Sequence, residues 1–142
     1  MTTARLGVLV WLIASLAGCI AVKPTQPAEF SLDGVELRLV RHNGQINRVE
    51  QLLTLVRDGD GVQVTGFAGC NRFSGRAEFD SAGRLSVGPL AATRRGCTDA
   101  AVAERENAYL AALSGQVFEV AAEGPNLQLR GERDTLAFAA LQ

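Results

Sequence analysis

From Val35 onward the chain is cut into short runs in which apolar and polar side chains alternate, each closed by turn residues. That pattern admits little besides an antiparallel sheet. Val35, Leu37 and Leu39 alternate with Glu36 and Arg38, and the run ends at Asn43-Gly44, a pair suited to a tight hairpin turn. Residues 52–57 and 61–67 flank Asp58-Gly59-Asp60-Gly61, and residues 76–80 and 84–87 flank Ser81-Ala82-Gly83. Residues 117–122, 127–130 and 135–140 are joined by Gly124-Pro125-Asn126 and by Gly131-Glu132-Arg133-Asp134. The spacing predicts about seven or eight strands.

Residues 98–113, TDAAVAERENAYLAAL, break the alternation: they are rich in Ala, Leu and Glu and free of Gly and Pro, which predicts a helix. Thr98 or Asp99 is placed to cap its start, and Gly115 lies just past its end. At the helical period Val102, Glu106, Tyr109, Leu110 and Leu113 share one stripe, which is predicted to face the sheet. Glu106 is the anomaly on that stripe, since a carboxylate buried there must find donors or shift its pKa upward.

Charge and histidine content narrow the function. The 142 residues carry 14 basic against 15 acidic side chains, so a nucleic-acid binder with a strongly basic face is excluded. One histidine, His42, cannot build a multi-His metal site, and it is expected to be exposed on a loop. Neither a cofactor nor a metal is expected, and the reading is non-enzymatic.

Three cysteines leave one unpaired unless something consumes it. Residues 1–18 read as a signal peptide, with Arg5 ahead of the apolar run Leu6 to Ala17, which is too short to span a bilayer. The run ends in Leu16-Ala17-Gly18-Cys19, which resembles the lipobox of bacterial lipoproteins. The resemblance implies cleavage before Cys19 and acyl chains, palmitate among them, on that residue. Residues 19–32, with two prolines, then read as a lipidated tether, and residues 33–142 as the folded domain. Ile20 follows the cysteine where enterobacterial inner-membrane lipoproteins typically carry Asp, which points to the outer membrane, facing the periplasm.

Between the predicted hairpins lies Gly66-Phe67-Ala68-Gly69-Cys70-Asn71-Arg72-Phe73-Ser74-Gly75, followed by Thr93-Arg94-Arg95-Gly96-Cys97 and, on the helix, Glu106 and Tyr109. In order and spacing these resemble the META domain, the family of HslJ-like bacterial lipoproteins, whose pattern runs G-x-x-G-C-N-x-[FY]-x-G, a hairpin, T-[RK]-x-x-C and a helix with E-x-x-[YFL]-x-x-x-L. The chain departs from it in the first strand, where many members have Trp and this chain has Val35-Glu36-Leu37. The expected fold is α+β: a curved antiparallel sheet, a half or open barrel, with one α-helix packed across its concave face. The resemblance implies the same arrangement, and a likeness to secretion pilotins that cradle acyl chains.

The motif also has its own chemistry. Glycines at 66, 69 and 75 permit positive φ or close backbone approach, and Asn71 tolerates left-handed geometry. Cys70 and Cys97 are the thiols left once Cys19 is lipidated, and an envelope location lets them pair, a bridge worth roughly 3–4 kcal/mol in the chain-entropy model. The alternative is two reduced thiols in a redox or metal site. Asn71, Arg72, Thr93, Arg94 and Glu106 are expected to converge, with an Arg94–Glu106 ion pair, either as a structural polar lock or as part of a binding site. The leading functional reading is an envelope lipoprotein binding a hydrophobic ligand or a protein partner, in heat-shock stress response or novobiocin tolerance. A lipid would occupy a cavity between helix and sheet lined by Phe67, Leu110 and Phe138. The alternative is a protease-inhibitor or chaperone-like module acting on exported proteins. The expected partners are the membrane, through the anchor, and a lipid or envelope protein; the domain itself is expected to be a monomer.

Overall fold

The computed structural model describes residues 32–141; the leader, Cys19 and the tether up to residue 31 lie outside the described residues. The elements run β1 (Glu36–His42), β2 (Gln45–Ile46), β3 (Leu52–Asp58), β4 (Gly61–Phe67), β5 (Arg72–Phe79), β6 (Leu85–Val87), β7 (Ala91–Ala92), α1 (Ala100–Leu113), β8 (Val117–Glu123), β9 (Asn126–Arg130) and β10 (Thr135–Ala140).

Every pairing is antiparallel, and the order β1-β3-β4-β5-β6-β8-β9-β10 returns to β1. The molecule is therefore a closed eight-stranded barrel, mostly sheet, with β2 and β7 as added short strands and one short helix. This corrects the expected α+β half or open barrel. The pairing that overturns it joins the two ends of the sequence, Leu37 opposite Ala140 through His42 opposite Leu136. A bulge between Leu39 and Arg41 adds twist where the sheet must curl onto itself. Closure leaves the long strands without an open edge, and the alternation within single strands carries no sign of such a distant partner.

Alternation sorts the side chains cleanly. Leu37, Leu39, Leu53, Leu55, Val62 and Val64 point inward and are at most 3% exposed. Outward, the registers align Arg38, Leu52, Phe67 and Arg72 in one transverse row, and the Thr93 N–H donates to the Arg72 carbonyl to extend it. Gly66 lies between inward neighbours, where the space a Cβ would need is taken by the Phe73 ring and the Leu52 carbonyl.

A closed barrel has no open concave face, and α1 instead covers one end. Asp99 caps it, its carboxylate accepting from Ala101 and Val102 N–H at 2.8 and 3.3 Å. The buried face carries Glu106, Tyr109, Ala112 and Leu113. Tyr109 enters the core, edge-on to Phe73 with ring centroids 5.8 Å apart and tilted against Phe138 at 6.4 Å. Its hydroxyl donates to the Leu52 carbonyl at 3.3 Å, which fixes α1 over the end where β3 starts and β4 stops.

Candidate functional site

The loop Ala68–Asn71 joins β4 to β5 beneath α1. Gly69 takes a φ of +126°, and a Cβ there would press on Val49 and Val102, so glycine serves both the bend and the approach of the helix. Two N–H groups then face the helix. Those of Cys70 and Asn71 donate to Glu106 Oε2 at 2.9 and 2.7 Å, while Asn71 Nδ2 donates to Oε1 at 2.6 Å. The same amide group donates to the Arg95 carbonyl at 3.1 Å, and Asn71 Oδ1 accepts from the Arg95 N–H at 2.7 Å and the Thr93 hydroxyl at 2.9 Å. Thr93 Oγ1 in turn accepts from the Arg72 N–H at 3.1 Å. Asn71 does not use a left-handed φ; among the described residues Asn43, in the first turn, is the only non-glycine that does. What Asn71 supplies is its two-sided amide, donating on one side and accepting on the other.

Burial pushes the Glu106 carboxyl upward, but the Asn71 amide and the Asn71 and Cys70 N–H groups outweigh it and hold the pKa below the ordinary glutamate range. A carboxylate held by three donors from one loop is a tie between helix and loop. Gln51 makes a second tie that the sequence reading missed. It is 2% exposed, and its Nε2 donates to the carbonyls of Ala68 and Arg105 at 2.9 and 3.0 Å. The signal was present: Gln51 continues the inward set of Leu53 and Leu55, so it had to be buried.

Cys70 and Cys97 form a disulfide, Cα atoms 5.9 Å apart, that fastens the loop to the segment leading into α1. Both sulfurs lie within 4.0 Å of Glu106 Oε1. The three residues are grouped as metal ligands would be, yet the sulfurs are bonded to each other and the carboxylate is engaged, so none offers a free donor.

The expected cluster assembles in part. Asn71, Thr93 and Glu106 meet directly and Arg72 joins through its backbone, while its guanidinium is exposed. Arg94 stays in solvent, and the expected Arg94–Glu106 pair does not form, because main-chain and amide donors already fill the carboxylate. His42 lies within β1, half-buried, its Nε2 2.9 Å from Asp134 Oδ1, rather than on an exposed loop. Phe67, Leu110 and Phe138 do not line one cavity: Phe138 is core, Leu110 packs at its margin and Phe67 faces outward. The space between helix and strands is taken by the Tyr109 ring.

Two surface grooves flank the outward Phe67. One, of about 180 Å³, is lined by Phe67, Cys70, Arg72, Thr93 and Arg95. The other, of about 280 Å³, is lined by Glu36, Leu52, Thr54, Thr65, Gly66, Phe67, Arg72 and Phe73. They meet at Phe67 and Arg72.

No curated protein matches the chain. Among solved structures it is similar to the NMR structure of a protein from Burkholderia xenovorans, at 26% identity and a TM-score of 0.62, covering 100% of this chain and 99% of that one. A second NMR structure, 24% identical with a TM-score of 0.58, covers 83% of this chain and 94% of its own and shares the fold. The model of the META domain family matches residues 12–142. The matched span takes in the Gly-Cys-Asn loop, the Thr-Arg-Arg-Gly-Cys run and the helix glutamate that here bond to one another, and the chain belongs to the META domain family.

Proposed function

We propose that this chain is a non-catalytic binding domain of the bacterial cell envelope, held at the outer membrane by acyl chains on Cys19 and acting outside the barrel rather than within it. The observation that carries this reading is the Cys70–Cys97 disulfide, which belongs to the tie between loop and helix and is of the structural kind typical of oxidising compartments. The lipobox-like Leu16-Ala17-Gly18-Cys19 supports the anchor, and several acyl chains bind far more durably than one. The ring of Tyr109, occupying the space where a lipid would lie, favours a partner met on the outer surface. In that role the domain contributes to stress and novobiocin tolerance by binding an envelope component. The test is metabolic labelling with palmitate in the source bacterium. The wild-type chain takes the label and sediments with outer membranes, and Cys19→Ala does neither. A wild-type chain without label overturns the anchor.

A further inference from the structure

The row Arg38–Leu52–Phe67–Arg72–Thr93 is unusual for the outside of a barrel. Its middle is apolar, with Leu52 and Phe67 half-buried, and an arginine flanks that middle on each side. Among the described residues two arginines pair with carboxylates, Arg76 with Asp58 and Arg84 with Asp80, at 2.9 and 2.7 Å. Among the described residues, the guanidinium groups of Arg72 and Arg95 have no carboxylate or carbonyl partner, although both line the groove that contains Phe67 and Thr93. Their backbones are not free to drift. The Arg95 N–H and carbonyl are held by the Asn71 side chain, and Arg72 is held by β4 and by Thr93. Two unpaired cations are thus positioned by the most heavily bonded part of the molecule, beside an aromatic ring.

We propose that the joined grooves form a binding site for a small anionic amphiphile, a phosphate or carboxylate carried on a short apolar body. Two guanidinium groups take the oxygens of such a head group in charge-assisted hydrogen bonds, where the compact charge of lysine would not provide the same fork. The apolar body lies along Phe67 and Leu52, leading away from Arg72. Glu36 closes the far end of the second groove and repels an anion there, which fixes the orientation: head at Arg72 and Arg95, tail toward β1. The combined volumes suit a head group and a few methylenes, not a whole phospholipid.

The test is calorimetric titration of the full chain, reconstituted in phosphatidylcholine nanodiscs, with hexyl phosphate, subtracting empty discs. The same titration is run on the full chain free in solution and is expected to give the same affinity, so failure of the anchor does not mask failure of the site. The expected result is saturable binding of one hexyl phosphate, weakened about a hundredfold in the double variant Arg72→Gln, Arg95→Gln, each lost contact to a charged group accounting for roughly a factor of ten. Arg76→Gln, on another part of the surface, leaves the affinity unchanged. Inorganic phosphate and hexanol each bind more weakly than hexyl phosphate. Discs containing phosphatidylglycerol separate two sources of the same chemistry: competition assigns the head group to the bilayer, and no competition assigns it to a free amphiphile. No saturable binding, equal affinity for inorganic phosphate or for hexanol, or a double variant that binds as tightly as wild type overturns the proposal. The substituted side chains are exposed, and an unchanged Tm shows that the variants are folded.

Discussion

Asn71 and Glu106 act as one unit, and their chemistry can be separated by isosteric change. Glu106→Gln keeps the shape but turns one acceptor into a donor facing N–H groups 2.6–2.9 Å away. The expected loss is about 2 kcal/mol, within the penalty for leaving a buried polar group unsatisfied. In a domain of this size that appears as a Tm lower by about 10 °C in a thermal melt. Asn71→Asp does the reverse, placing a second carboxylate where an amide donated to Glu106 Oε1. Two like charges at that distance cannot both ionise, so one of the pair has a raised folded pKa. Its stability is then present when the pair holds a proton and is lost as pH rises through that raised value. Urea titrations of the Asn71→Asp variant are expected to show greater stability near pH 5 than at pH 7, and a variant equally stable at both would refute the shared-proton reading.

At the scale of elements, α1 is fixed by one ring more than by its polar ties. Tyr109→Ala removes the side chain that fills the end of the barrel and is expected to cost about 3–5 kcal/mol, whereas Tyr109→Phe loses only one long hydrogen bond, about 0.5–1 kcal/mol. Denaturant midpoints of the two variants separate these. Gly66→Ala meets the Leu52 carbonyl and the Phe73 ring, and since backbone cannot yield cheaply, overpacking of about 1–3 kcal/mol follows in the same assay. Much of this level was legible in the sequence: the hairpin turns, the helix and its Asp99 cap, and the inward set of leucines follow from period and turn chemistry. What was not legible has a common cause. The β1–β10 pairing and the short β7 beside β5 depend on partners distant in sequence, and alternation reports only which way a strand faces. Arg94 was matched to Glu106 on charge, while the carboxylate was satisfied by uncharged main-chain donors that composition does not display. Gln51 was legible and overlooked, since its parity placed it inside.

For the whole molecule, acid and reductant probe the same region. Glu106 has a folded pKa depressed below its ordinary value near 4.5, so its contribution is complete above that value and is lost as pH falls through the lower folded one. Burial raises and hydrogen bonds from His42 and Asn43 lower the Asp134 pKa, with the lowering dominant, so it acts in the same direction. Stability is therefore expected to hold from neutral pH to about 5 and to decline below about 4 in pH-dependent unfolding, with the decline reduced in Glu106→Gln. Reducing the disulfide, or replacing both cysteines by serine, is expected to cost about 2–4 kcal/mol, and intact mass before and after reduction differs by two hydrogens. The closure of the barrel has a consequence in time as well as in space. Because β1 takes its final neighbour from β10, with the Leu141 N–H donating to the Glu36 carbonyl, the ring stays open until β10 arrives. Such distant pairing sets a slow pace of folding, on the order of milliseconds to seconds. A truncation before β10 leaves β1 with a bare edge, so a chain of this design is completed as a unit or not at all.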